Sequence, residues 1–171
     1  MSGPTEADLA MAAARLGDAL RERGWRLATA ESSTGGLIGH VITSNAGASD
    51  YYAGGVICYS NLAKEVGLGV ARELIATHGA VSEEVAAAMA VGAAHRFEVR
   101  IGVSVTGIAG PDGGSTAKPT GTHFLGVALR GHPPRVEQHR FSHDRDGNKA
   151  AAALAVLVLA LDEVLAASPE A

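Results

Sequence analysis

The sequence predicts a single α/β domain in which a mostly parallel sheet packs against helices. Helical patterns alternate with short apolar runs along the chain, an order typical of layered α/β folds. Two later strand patterns on either side of a turn at 131–134 predict a hairpin, which adds an antiparallel strand to the sheet. At 171 residues the chain has the ordinary size of one domain, so we expect one unit over residues 1–171 with its core at about 9–165.

Each element follows from its own pattern. Leu9, Leu16 and Leu20 recur at helical spacing before Gly24, which stands where a helix C-cap belongs. Ser82 followed by two glutamates is typical of a helix start. Short apolar runs between glycine and polar residues predict the strands. In chain order we expect a helix at about 6–23, a strand at 25–30, a helix from 37, a strand at 56–59, helices at 61–66, 71–77 and 83–97, strands at 100–106, 122–129 and 135–141, and a helix at 147–167.

Composition narrows the class of protein. The formal net charge is −4, and the basic residues are scattered singly with few aromatics, so we expect no nucleic-acid partner. The single cysteine, Cys58, excludes an internal disulfide and indicates a reducing compartment. The apolar run at 150–161 is shorter than the roughly 20 residues that a bilayer requires, so we expect no membrane partner and a cytoplasmic location. The expected partners are small molecules or a second copy of the chain.

Three loops follow predicted strands, and ligands of open α/β sheets bind beyond the carboxyl ends of strands. The loop Glu31–Gly36 could bind an anion or a ribose hydroxyl through its hydroxyls and the helix start behind it, or Ser33 or Thr34 could simply cap that helix. The glycine-rich loop Thr106–Gly114 could bind an anion through its N–H groups, or it could be a tight structural turn. The third loop lies around Tyr59.

No motif indicates a metal or a cofactor. The glycines of the loop at 107–113 do not have dinucleotide spacing, no Gly-Lys-Ser/Thr follows a glycine loop, and zinc-protease and zinc-deaminase signatures are missing. The seven histidines are dispersed, without a pair at ligand spacing on one helix. We therefore expect no metal site and no cofactor.

A hydroxyl, a phenol and an amine surround the strand predicted at 56–59. Ser49 precedes it, Tyr59 ends it, and Lys64 lies on the helix that begins after Ser60. Taken singly, such residues are more often solvated or part of the core than catalytic. Cys58 alternates with Tyr59 and so points to the opposite face, which indicates a buried structural thiol.

Five blocks of sequence carry a resemblance to a known family. They are Thr-Ala-Glu-Ser-Ser-Thr-Gly-Gly-Leu-Ile from Thr29, Gly-x-Ser-x-Tyr-x-x-Gly-Gly from Gly47, Tyr-Ser-Asn-x-Ala-Lys from Tyr59, His-Gly-Ala-Val-Ser-Glu from His78, and Val-Thr-Gly-Ile-Ala-Gly-Pro-Asp-Gly-Gly from Val105. In this order they resemble the CinA C-terminal domain family, the nicotinamide-nucleotide amidohydrolases or NMN deamidases. The resemblance spans about Leu9 to Leu165.

The resemblance implies a function and a site. It implies metal-independent hydrolysis of the carboxamide of nicotinamide mononucleotide to nicotinate mononucleotide and ammonia, in pyridine-nucleotide recycling. It also implies a three-layer α/β/α fold with a mixed sheet, a dimer, and the standalone form of the family. The family nucleophile falls on Ser49, its lysine on Lys64 and its tyrosine on Tyr59. We expect the nucleotide to contact Glu31, Ser32, Ser33, Thr34, Gly35, Thr106, Gly107, Ala109, Gly110, Arg145 and Lys149.

Three positions depart from the family pattern. Ser33 replaces a usual cysteine and Ala48 a usual second serine, and both spare the named catalytic groups. Lys149 stands where arginine is typical, and an ammonium cannot reproduce a bidentate guanidinium, so this change bears on substrate affinity.

The expected mechanism requires a lysine that is neutral at working pH. Desolvation lowers the pKa of a buried amine, which would let Lys64 accept the Ser49 proton while Tyr59 relays a proton or binds the oxyanion. The glycine loop would supply donors to the oxyanion or to the phosphate, and Arg145 or Lys149 would bind the phosphate. Two alternatives stay open, a serine–lysine amidase acting on another small amide and a nucleotide-binding module without catalysis.

Overall fold

The computed structural model describes residues 3–168. Within that range the chain forms six α-helices and five strands, and a one-turn 3-10 helix, Ala48–Asp50, precedes the second strand. The elements are α1 (Glu6–Arg23), β1 (Leu27–Glu31), α2 (Leu37–Thr43), β2 (Tyr52–Ile57), α3 (Asn61–Leu68), α4 (Arg72–His78), α5 (Glu83–Arg96), β3 (Ile101–Gly107), β4 (Thr122–Leu129), β5 (Arg135–Arg140) and α6 (Arg145–Ala166).

The five strands form one mixed sheet in the order β2-β1-β3-β4-β5. Parallel pairing joins β2, β1 and β3, and antiparallel pairing joins β3 to β4 and β4 to β5. The predicted hairpin is confirmed as β4–β5. The carboxyl ends of β1, β2 and β3 therefore lie at the same edge of the sheet, with β2 as its outermost strand on that side.

Helices cover both faces of the sheet, which confirms the expected α/β/α layers. On one face, Val103 and Val105 of β3 pack into a core shared with α1, α2 and α6. The opposite face packs against α5, where the Ser104 hydroxyl donates a 2.7 Å hydrogen bond to the Ala86 carbonyl. Adjacent residues of β3 thus serve opposite layers, as the two-residue period of a strand requires.

The predicted C-cap at Gly24 and the predicted helix starts after Ser60 and Ser82 are present, and α1 has a further cap at its start. Thr5 and Asp8 form a capping box at the start of α1, and Gly24 ends that helix with φ 64°. Ser60 accepts from the Ala63 N–H at the start of α3, and Ser82 accepts from the Val85 N–H at the start of α5. These bonds satisfy N–H groups that have no partner inside a helix.

The second strand lies earlier than the sequence suggested, over Tyr52–Ile57 instead of 56–59. The two glycines that looked like a preceding turn belong to the strand itself. A Cβ on Gly55 would lie 2.1 Å from the Thr29 Oγ1, and one on Gly54 would lie 2.9 Å from the Phe97 ring. Side chains of neighbouring elements occupy the space beside this strand, so only glycine fits at both positions.

None of the helices within residues 3–168 combines the length and the apolar character that a membrane span requires.

Candidate active site

A cavity of about 290 Å³ opens at the carboxyl edge of the parallel strands. The loops after β1, β2 and β3 and the start of α6 form its walls. Its lining consists of Ser32, Ser33, Tyr59, Lys64, Ala80, Val81, Thr106, Gly107, Ile108, Ala109, Gly110, Asp112, Gly113 and Arg145. Nine of the residues predicted for the site are among these, namely Ser32, Ser33, Tyr59, Lys64, Thr106, Gly107, Ala109, Gly110 and Arg145.

A larger cavity of about 410 Å³ lies between β5 and α6, but it is less suited to hydrolysis. Its wall is mostly apolar and includes Phe141 and Leu154, with no serine or lysine among its described lining residues. The smaller cavity contains both, so we place the candidate chemistry there.

Lys64 lies at the base of the smaller cavity, and its side chain is 1% exposed. The helix α3 begins directly after β2 and carries the amine back towards the sheet. Its Nζ lies 3.0 Å from the Ser32 Oγ, 2.9 Å from the Cys58 carbonyl oxygen and 3.5 Å from the Tyr59 carbonyl oxygen. Burial lowers the pKa of this amine below its ordinary value, and the proximity of Cys58 opposes the effect.

The three neighbours of Lys64 can accommodate both the charged and the neutral amine. A neutral amine has two N–H donors and one lone pair, whereas an ammonium has three donors and no acceptor. The Ser32 hydroxyl and the two carbonyls can accept all three N–H groups of an ammonium; when Lys64 is neutral, the two carbonyls keep its N–H groups and its lone pair can face the Ser32 hydroxyl. A neutral Lys64 at this distance is within reach of the Ser32 proton, which is the geometry that a general base requires.

Ser32 is held at this point by the sheet. It follows the last residue of β1, and its N–H donates a 3.0 Å hydrogen bond to the Val105 carbonyl of β3. Lys64 follows the neighbouring strand β2 by one helical turn. Because the two strands are parallel, their following segments meet at the same edge of the sheet.

The predicted pairing of Ser49 with Lys64 is corrected by this geometry. Ser49 lies in the 3-10 helix before β2, whereas Lys64 comes after that strand, so they are at opposite ends of it. At about 3.3 Å per residue, the six residues of β2 separate the two ends by about 20 Å. Ser49 is exposed beside the end of α1, where Arg21 approaches Gly47. It does not line the cavity.

The predicted proton relay through the Tyr59 phenol also disagrees with the structure. Tyr59 contacts Lys64 through its main-chain carbonyl, while its side chain is 66% exposed. Its phenol oxygen lies 3.4 Å from Nη2 of Arg145, at the mouth of the cavity. The phenol is therefore directed away from the amine that it was expected to assist.

The cavity lining does not include Glu31, Thr34 or Gly35 of the loop after β1, which were predicted to contact the nucleotide. The Glu31 carboxylate accepts from the Thr34 hydroxyl at 2.8 Å and from the N–H groups of Gly36, Ile38 and Gly39 at 2.9, 3.1 and 2.8 Å. This buried carboxylate occupies the N-terminal end of α2, where an anionic ligand was one expectation. Internal capping, the alternative, is what the structure shows, although Glu31 provides it instead of Ser33 or Thr34.

The glycine loop after β3 is anchored and still lines the cavity. The Thr106 hydroxyl donates to the Ala80 carbonyl at 2.7 Å, so this hydroxyl serves the fold. Asn148 donates to the Ala109 carbonyl at 3.0 Å, and Arg145 donates to the Gly110 carbonyl. Gly110 has φ 90°, which explains the glycine.

The two basic residues of α6 differ in position. Arg145, its first residue, lines the cavity, whereas Lys149 does not. The prediction that Lys149 contacts a nucleotide in this cavity therefore disagrees with its position. The described residues contain no group of three or more His, Cys, Asp or Glu side chains that could hold a metal ion.

Ser32 was predicted from the sequence to bind substrate, and its contact with Lys64 was not predicted. The positions of the two residues relative to the predicted strands could have indicated this contact. Ser32 follows one predicted strand, and Lys64 follows the next strand along the chain. Two such segments meet whenever the strands are parallel neighbours.

Comparison with known proteins finds one family model and many similar proteins. The family model for the CinA C-terminal domain matches residues 9–164. A "CinA-like protein" of Syntrophobacter fumaroxidans is 50% identical over 144 residues, which are 84% of this chain and 34% of that protein. The chain thus spans about a third of the length of this relative, and the same holds for a "CinA-like protein" of Salinibacter ruber.

A relative of similar length has a functional name. The "Nicotinamide-nucleotide amidohydrolase PncC" of Enterobacter agglomerans is 43% identical over 150 residues, covering 88% of this chain and 92% of that protein. Among solved structures, the competence damage-inducible protein A of Klebsiella pneumoniae superposes with a TM-score of 0.90 at 32% identity, covering 94% of this chain and 99% of that one.

Proposed function

Because the chain belongs to the CinA C-terminal domain family, we propose that it is an amidohydrolase that converts nicotinamide mononucleotide and water to nicotinate mononucleotide and ammonia. The relative named as a nicotinamide-nucleotide amidohydrolase supports this reaction class. The observation that carries the proposal is the buried Lys64 amine facing the Ser32 hydroxyl at 3.0 Å inside a cavity. A reaction of this kind belongs to pyridine-nucleotide recycling.

In the proposed first step Ser32, and not Ser49, attacks the carboxamide carbon. Lys64 accepts the hydroxyl proton as the Ser32 Oγ forms a bond to that carbon, which gives a tetrahedral intermediate with an oxyanion. Lys64, now protonated, gives the proton to the amide nitrogen. The carbon–nitrogen bond then breaks, ammonia leaves, and an ester joins the nicotinoyl group to Ser32.

In the second step water resolves this ester. Lys64 accepts a proton from the water as its oxygen attacks the ester carbon, and it returns that proton to Oγ as the carbon–oxygen bond to Ser32 breaks. The Cys58 and Tyr59 carbonyls hold the amine in place throughout. The same two carbonyls accept from the ammonium that forms in each step and so stabilise its charge. Protonation adds a third N–H without disturbing these two hydrogen bonds.

The nucleotide phosphate is assigned to Arg145. Its guanidinium lies at the mouth of the cavity, on the first residue of α6, where the helix dipole also favours an anion. In this proposal the N–H groups of the loop around Ala109 and Gly110 are donors to the oxyanion. The N–H of Ile108 is excluded from that role because it donates to the Thr122 carbonyl at 2.9 Å.

We also propose that the enzyme is a homodimer and needs no metal. Three exposed apolar side chains at the end of β2 and on α3, Ile57, Leu62 and Val66, favour contact with a second copy. Light scattering of the purified protein tests this point, and a monomer at micromolar concentration contradicts it.

The function is tested by measuring ammonia release from nicotinamide mononucleotide, NAD, nicotinamide and glutamine under the same conditions. We expect release from the mononucleotide with the highest kcat/KM. Release from glutamine or nicotinamide alone identifies an amidase with another substrate. Binding of the mononucleotide without any ammonia identifies a binding module, and either result overturns the proposal.

A further inference from the structure

Tyr59 is unusual among the aromatic residues of this chain. The sequence contains three phenylalanines, three tyrosines and one tryptophan. All seven fall within residues 3–168, and only Tyr59 is exposed, with 66% of its surface accessible. The phenol plays no part in the proton transfers described above. An exposed aromatic ring that lines a cavity is suited to contact a ligand.

The ring lies between the two functional ends of the cavity. Its main-chain carbonyl is 3.5 Å from the Lys64 Nζ, at the end where the amide reacts. Its phenol oxygen is 3.4 Å from Nη2 of Arg145, at the end assigned to the phosphate. The side chain of Tyr59 therefore spans the distance from the reacting end to the anion-binding end.

The proposed substrate has the same order of groups. In nicotinamide mononucleotide a pyridine ring lies between the carboxamide and the ribose phosphate, and its ring nitrogen bears a positive charge. A cation over the face of a tyrosine ring is attracted by the negative potential of that face. On the basis of the proposed function, we propose that the Tyr59 ring stacks on the pyridinium ring and selects substrates whose ring is positively charged.

This role explains why the side chain is exposed in the unliganded protein. A planar ring that stacks on Tyr59 removes apolar surface of both partners from water. Stacking on Tyr59 would also place the carboxamide close to Ser32. The main-chain carbonyl of Tyr59 contacts the Lys64 amine, so a substrate on the Tyr59 ring lies next to the reacting groups. One residue would thus position the base through its main chain and the substrate through its side chain.

The test compares two non-hydrolysable ligands that differ in ring charge. Nicotinate mononucleotide carries the pyridinium, and its 1,4-dihydro form carries a neutral ring. Binding of each is measured by calorimetry to the wild type, Tyr59→Phe, Tyr59→Leu and the control Leu165→Ala. Leu165 is 57% exposed near the end of α6 and does not line the cavity.

We expect the wild type to bind the charged ring about 2- to 30-fold more tightly than the neutral ring. Tyr59→Phe keeps the ring and should keep this ratio, while Tyr59→Leu should reduce it to about one. Leu165→Ala should match the wild type. Equal binding of both ligands by the wild type, a ratio that survives in Tyr59→Leu, or no binding of either ligand overturns the inference.

The ammonia assay separates this inference from the proposed function. A wild type that releases ammonia from nicotinamide mononucleotide but shows no preference for the charged ring refutes the role of Tyr59 alone. A wild type that shows the preference but releases no ammonia refutes the hydrolysis alone. If Tyr59→Phe loses the preference as fully as Tyr59→Leu does, the phenol hydroxyl is responsible and stacking is excluded.

Discussion

Replacing Ser32 by alanine should abolish hydrolysis, whereas replacing Ser49 by alanine should leave it nearly unchanged. Ser32 supplies the only hydroxyl that the structure places beside Lys64 within the described residues. Ser49 lies at the other end of β2. Both changes remove one oxygen atom, so the two variants form a matched pair in which only the position differs.

The expected size of the effect follows from the lost contacts. Without the nucleophile, no ester can form, and losses of 10³-fold or more in kcat are typical, which correspond to at least about 4 kcal/mol in the activation barrier. The fold should survive, because Lys64 keeps both carbonyl acceptors and loses one hydrogen bond of about 1 kcal/mol. Ser49 is exposed, so its replacement should change stability by less than about 0.5 kcal/mol.

The assay is ammonia release from nicotinamide mononucleotide at saturating substrate, with thermal denaturation of each variant as the control for folding. Mass spectrometry after rapid quenching should detect the nicotinoyl ester on the peptide containing Ser32 in the wild type. A folded Ser32→Ala variant with near wild-type turnover, or loss of activity in Ser49→Ala, would refute the reasoning.

Three further predictions concern the base, the loop and the metal. Lys64 must be neutral to act as the base, and burial lowers its pKa below 10.5. The value of kcat/KM should therefore rise about ten-fold per pH unit until the pH reaches the pKa of Lys64. A pH-independent profile contradicts this. Glu31→Gln should lower the free energy of unfolding by about 2–3 kcal/mol in urea titrations, since its new NH₂ group faces N–H donors of α2, while the exposed control Glu73→Gln should change it little. Activity should survive dialysis against EDTA, and loss that zinc or magnesium restores contradicts metal independence.

Most of the fold could be predicted because it depends on local signals. The bounds of α1 follow from helical periodicity and a glycine C-cap, and those of β4 follow from an apolar run. The bounds of β2 could not be predicted, because its glycines are typical of turns. They are explained by the side chains of Thr29 and Phe97, which come from distant parts of the sequence.

The candidate site could be predicted only in part, because the sequence gives local signals but not the contacts between distant residues. Family motifs and loop positions identified the cavity walls around Lys64, but they did not give the direction of each side chain. Closeness in sequence suggested that Ser49 and Lys64 act together. The strand β2 lies between them in the sequence and runs from one edge of the sheet to the opposite edge. Residues before and after this strand are therefore far apart in space.

Cys58 provides a final test of the assignment of Ser32, because it is the other nucleophile close to Lys64. Its side chain is fully buried, burial raises the pKa of its thiol to about 11, and its Sγ contacts the Glu31 carbonyl oxygen at 3.6 Å. A thiol in this position can neither ionise near neutral pH nor reach a substrate in the cavity.

Cys58→Ala should therefore keep kcat and KM within about two-fold of the wild type, with a loss of stability of about 1–2 kcal/mol from the small void. Incubation of the native wild type with N-ethylmaleimide should likewise leave its ammonia release unchanged, because the thiol is shielded. A folded Cys58→Ala variant without activity would show that the amine of Lys64 serves the thiol, and the serine mechanism would then be wrong.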